Sequence, residues 1–153
     1  MADSSEWQDW VVFAENDWAG TQLLLPDLPT QATYLMVQSV EKYLKSVSLF
    51  TGQEPSRTHN LKDLLLSIDP NISRSSREWI AADLLTRVTP ISRYPADIAE
   101  PTRDEAQQLF DAAGFLRKLA RTKLGLETQP EEWVRPQIGY ELQAARGNAS
   151  KRT

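Results

Sequence analysis

Cysteine is absent from the 153 residues, which excludes disulfides, thiolate zinc sites, iron–sulfur clusters and cysteine nucleophiles. Histidine occurs once, as His59, so chemistry that needs two imidazoles within one subunit is excluded, and only a two-fold dimer would bring two together. No HExxH, P-loop, GxGxxG, GxSxG or EF-hand pattern occurs, and the standard metalloprotease, nucleotide-loop, hydrolase-elbow and calcium readings fall with them. No apolar run approaches the roughly 18 residues that a membrane span needs. The opening Met1-Ala2-Asp3-Ser4-Ser5 lacks a basic region and an apolar core. The expected location is the cytoplasm, with no contact to membrane. Basic residues number 17 against 21 acidic ones, a net charge of −4, so the global basic footprint of a nucleic-acid binder is missing and only a local patch stays open.

What is present is an ordinary globular composition, 41% hydrophobic and 25% charged, with room for one domain and one core. The apolar residues recur at helical intervals, and no period-two alternation appears. Trp7, Trp10, Val11, Ala14, Trp18 and Leu25 mark a first helix over 5–25, opened by a Ser5/Gln8 capping box and closed by Pro26 and Pro29. Thr30 is the expected cap of a second helix running to about Phe50 and stopped by Gly52. Apolar residues surround this helix except for a narrow stripe of Gln38, Glu41, Lys42 and Lys45, which makes it central and points the stripe at solvent, a partner or a ligand. Thr58 or Ser56 would cap a short third helix with Leu61, Leu64, Leu65 and Ile68. Ser73 or Ser75 would start a fourth, with Trp79, Ile80, Leu84 and Val88 at helical spacing until Pro90. The proline-rich segment 89–101 reads as loop. A Thr102/Glu105 capping box opens a fifth helix that Gly125 stops. Together these imply an all-α, compact, up-and-down bundle of about five helices over 5–125, followed by a C-terminal extension, 126–153, partly ordered or disordered.

Five residues are candidates for ligand or partner binding: Lys42, Lys45, His59, Arg93 and Tyr94. Lys42 and Lys45 lie one turn apart on the stripe and offer ammonium donors, although Glu41 and Lys45 also suit a plain solvated i,i+4 pair. His59 is expected in the first turn of the third helix, where free backbone N–H groups favour an anion; its plainer role is a bond to neighbouring backbone. Arg93 brings a planar fork of donors on a loop that flanking prolines restrict, with Tyr94 beside it. The expectation is that Lys42, Lys45, His59 and Arg93 share one anionic ligand or one acidic partner surface. No catalytic residue, cofactor or metal is expected.

Taken in order, Trp7, Ala14 and Asp17, then Gln38-Ser39-Val40-Glu41-Lys42-Tyr43-Leu44-Lys45, then Thr58-His59-Asn60-Leu61, then Arg93-Tyr94-Pro95 and an alanine-rich last helix resemble the HEPN family (higher eukaryotes and prokaryotes nucleotide-binding domain) over roughly residues 7–125. The resemblance implies a helical bundle, often a two-fold dimer, frequently encoded beside a minimal nucleotidyltransferase as a toxin–antitoxin pair. Some members are metal-independent ribonucleases that carry an arginine, four to six residues, then a histidine. Here Arg57 precedes His59 with a single residue between. The leading expectation is therefore a non-catalytic module that engages a nucleotide phosphate or a minimal nucleotidyltransferase. A ribonuclease toxin, with RNA as substrate, and a purely structural interaction domain are the alternatives. A homodimer is expected as well, from the five tryptophans and from the habit of the family.

Overall fold

The computed structural model describes residues 5–93 and 100–126, with 89–93 given by their backbone alone. Five helices and no strands make up the described residues: α1 (Glu6–Leu24), α2 (Pro29–Phe50), α3 (Leu61–Ile68), α4 (Arg77–Arg93) and α5 (Arg103–Lys123). The expected all-α bundle is the observed one. Helix α2 is its axis, since among the described residues it alone packs against all four others. Its residues Met36, Val37, Val40 and Leu44 meet Leu61, Leu64 and Leu65 of α3, Ala82 and Leu85 of α4, and Leu109, Ala113 and Leu116 of α5 in the main core. Tyr43 and Val47 meet Val11, Ala14, Ala120, Leu124 and Leu126 in a second cluster. Leu126 lies one residue past the expected end of the bundle and is buried.

Helix boundaries follow local chemistry more closely than the sequence reading allowed. Ser5 makes no side-chain cap on α1. Instead of closing the first segment, Pro29 is the first residue of α2, with Leu28 rather than Thr30 as N-cap; a proline at the first helical position loses an N–H that would be unpaired anyway. Neither Thr58 nor Ser56 caps α3. Asn60 does so, its Oδ1 accepting from the N–H groups of Lys62 and Asp63, so His59 stands before the helix rather than in its first turn. Ser76, not Ser73 or Ser75, accepts from the Trp79 N–H at the start of α4. Thr102 Oγ1 accepts from the Glu105 N–H as expected. Gly52 and Gly125 take the positive φ, 81° and 72°, that ends a helix in left-handed backbone.

One expectation about α4 is corrected. The helix runs through Pro90 to Arg93, where a loop is the sequence reading; the missing N–H costs a helix about 3 kcal/mol, and the packing of α4 on α2, α3 and α5 offsets it. Its inward face is Ala81, Ala82 and Leu85, whereas Ile80 and Leu84 are 57% and 39% exposed. Small side chains face the core because α4 packs on α2, α3 and α5 together, and periodicity in large residues misassigns such a face.

Candidate functional site

The polar stripe of α2 is built from two sides. Helix α1 lies antiparallel to α2, fastened by Ser39 Oγ donating to the Ala14 carbonyl at 2.8 Å and by Ser46 Oγ donating to the Trp7 carbonyl at 2.9 Å. This pairing puts Asp17 against Lys42 in a salt bridge and Trp10 beneath Lys45, whose Nζ lies 5.8 Å from the ring centre. From the other side the connector after α2 returns across the helix and delivers His59. Its Nδ1 lies 2.9 Å from Glu41 Oε1, the same oxygen that accepts from Lys45 Nζ at 2.9 Å.

Glu41 and Lys45 are therefore buried rather than spread on a solvated face, while the His59 side chain is 64% exposed. Glu41 Oε2 and Gln38 Nε2 are buried without a hydrogen-bond partner among the described residues. A carboxylate only accepts, so His59 donates from Nδ1 and the neutral ring carries its lone pair on Nε2. Asn60 takes the N–H groups at the start of α3, so the anion-attracting helix start expected at His59 is filled by the chain itself.

Of the five candidates, Lys45 and His59 meet on one carboxylate, and Lys42 lies one turn earlier on α2 with Asp17. Arg93 ends α4, but its side chain lies outside the described residues, as does Tyr94 entirely. A cavity of about 210 Å³ between α3, the following connector and α5, lined by Leu65, Ile72, Ser73 and Lys123 among others, contains none of the five. Among the described residues no three histidine, aspartate or glutamate side chains are grouped to hold a metal, and no helix is long and apolar enough to cross a membrane.

Sequence reasoning missed a second polar cluster, buried between α1, α2 and α5. Glu15 Oε1 accepts from Arg117 Nε at 3.0 Å and Nη2 at 2.7 Å, from Arg121 Nη1 at 3.0 Å and from the Tyr43 hydroxyl. Arg121 also donates to the Leu126 carbonyl at 3.2 Å, and Arg117 lies over the Trp18 ring at 5.2 Å. Burial, then the Glu15 charge, pushes the Tyr43 phenol well above its ordinary range. One sign of this cluster stood in the sequence: Glu15 falls between Val11, Ala14 and Trp18, inside the apolar stripe of its helix.

Comparison with known proteins supplies two further findings. The HEPN domain family model matches residues 7–123. The crystal structure of TT1696 from Thermus thermophilus superposes with a TM-score of 0.68 at 27% identity, over 78% of this chain and 98% of that one. No curated protein matches the chain.

Proposed function

The chain belongs to the HEPN domain family, and from that premise we propose that it is a non-catalytic binding module whose partner is a minimal nucleotidyltransferase, the two forming a toxin–antitoxin pair. The observation that carries this reading is the charge balance of the α1/α2 face. Lys42 is matched by Asp17, and Lys45 and His59 by Glu41. A phosphate reaching the Lys42 or Lys45 ammonium would have to displace a carboxylate already in place, and at Lys45 that leaves the buried Glu41 charge without its lysine. A protein surface can instead accept the face as it stands, with Phe13 and Tyr34 as exposed aromatic contacts.

The ribonuclease reading has less support. His59 is the sole imidazole of the chain, and Arg57 precedes it with one residue between rather than the four to six that the resemblance associates with ribonuclease members. A homodimer, burying about 800 Å² per subunit if of standard size, is part of the same proposal.

Identification of the neighbouring gene comes first, and calorimetry then tests this reading with three probes: a minimal nucleotidyltransferase, the nucleotides ATP, GTP and AMP, and a structured RNA followed by gel analysis. Saturable heat with the nucleotidyltransferase is the expected result. Saturation with a nucleotide alone would replace the protein partner with a phosphate ligand. RNA cleavage that His59→Ala abolishes would overturn the non-catalytic reading. Light scattering that returns a monomer mass from micromolar to millimolar concentration would remove the dimer.

A further inference from the structure

We infer that His59 Nε2 is a phosphoryl-acceptor site, a nucleophilic imidazole nitrogen set up by the buried Glu41 carboxylate behind it. This goes beyond the binding reading and does not depend on it. Three observations meet here. First, the two ring nitrogens stand in different surroundings: Nδ1 is 2.9 Å from Glu41 Oε1, whereas the side chain as a whole is 64% exposed. With Nδ1 turned to the carboxylate, the exposed remainder of the ring is where a reagent from solvent approaches. Second, the carboxylate does not wander. Glu41 is buried on α2, and Lys45 Nζ holds the same oxygen at 2.9 Å. Third, the other oxygen, Oε2, is buried with no partner among the described residues, so the carboxylate keeps unspent accepting capacity next to the ring.

These features change the chemistry of the imidazole. A fixed acceptor at Nδ1 selects the tautomer with the proton on Nδ1 and the lone pair on Nε2. Attack through Nε2 places positive charge on the ring, and a buried carboxylate in hydrogen-bond contact stabilises that charge as it develops. With phosphoramidate as donor, in its zwitterionic form with three protons on nitrogen, the step balances. The Nε2 lone pair forms the new N–P bond, the donor N–P bond breaks, and ammonia leaves with that bonding pair. The ring becomes a phospho-imidazolium whose Nδ1 proton stays on the hydrogen bond to Glu41. A fastening role alone, in which His59 merely ties the connector to α2, would require the same Glu41 contact but would not require reactivity at Nε2.

Because the chain holds one histidine, the test is free of competing sites. The full chain is incubated with phosphoramidate beside N-acetylhistidine as an internal standard, and the adduct is followed by intact mass and by phosphorus NMR. Labelling of His59 at Nε2 faster than the standard by about tenfold or more is expected from a preset tautomer and charge stabilisation. His59→Gln should take no label, and Glu41→Gln should fall to the rate of the standard. Since Glu41→Gln alters a buried residue and can unfold the bundle, a second measurement uses the unmodified chain. Long-range proton–nitrogen NMR of the single imidazole should show the proton on Nδ1 and an unprotonated Nε2. Labelling no faster than N-acetylhistidine, label retained in His59→Gln, or a ring protonated on Nε2 when neutral would each overturn the proposal.

Discussion

Replacing Glu15 with glutamine should cost the protein about 3 kcal/mol, at the low end of what is lost when one partner of a buried ion pair is removed. The figure follows from the surroundings of the carboxylate. Its Oε1 accepts from Arg117 through two nitrogens, from Arg121 and from the Tyr43 hydroxyl, and Glu15, Arg117 and Arg121 are 7%, 9% and 5% exposed. Glutamine keeps the shape and one accepting oxygen but removes the charge, so two buried guanidinium groups lose the carboxylate charge that faces them. The retained oxygen is why the loss sits near the bottom of the range. A domain of this size has about 5–15 kcal/mol of total stability, and 3 kcal/mol corresponds to a fall in Tm of about 10 °C.

Urea unfolding followed by circular dichroism gives the free energy, with an unchanged slope showing that the change is one of stability and not of compactness. A loss below about 1 kcal/mol in Glu15→Gln would refute the reasoning, since that is the worth of a solvated surface pair.

Three further outcomes are expected. Burial and the Glu15 charge hold the Tyr43 phenol neutral in the folded state beyond its ordinary range, whereas an unfolded chain ionises its tyrosines near about pH 10. The Tyr43 contribution to stability is thus complete below that value and declines as pH rises above it; stability against pH in Tyr43→Phe should fall less steeply there, and equal slopes would dismiss the linkage. Gly114→Ala should stabilise by about 0.5–1 kcal/mol through helix propensity, because an added Cβ would meet only Trp18, its Cη2 at 3.5 Å; a lower urea midpoint would show that the Trp18 contact is tighter than it looks. Asn60→Ala should cost about 1 kcal/mol by leaving the Lys62 and Asp63 N–H groups uncapped, read as a drop in the urea midpoint that Asn60→Asp does not produce.

Elements and their order were legible in the chain because helical periodicity and end chemistry are local. The apolar positions around α2 announced a central helix, Gly52 and Gly125 announced its end and the end of α5, and Thr102 announced the start of α5, each through groups within a few residues of one another. The motif order over residues 7–125 was legible for the same reason, and the family model matches residues 7–123.

Partnership was not legible. Glu15 meets Arg117 and Arg121 across 102 and 106 residues of chain, Asp17 meets Lys42 across 25, and His59 meets Glu41 across 18. In the sequence Glu41 and Lys45 read equally well as a solvated helix pair. Only the packing of α1 along α2, the approach of α5 and the return of the connector after α2 bury these groups and decide which charge faces which. The inward face of α4 and its passage through Pro90 belong to the same class. Propensity and periodicity weigh fractions of a kilocalorie per residue, and in an assembled bundle burial and ion pairing over long separations outweigh them.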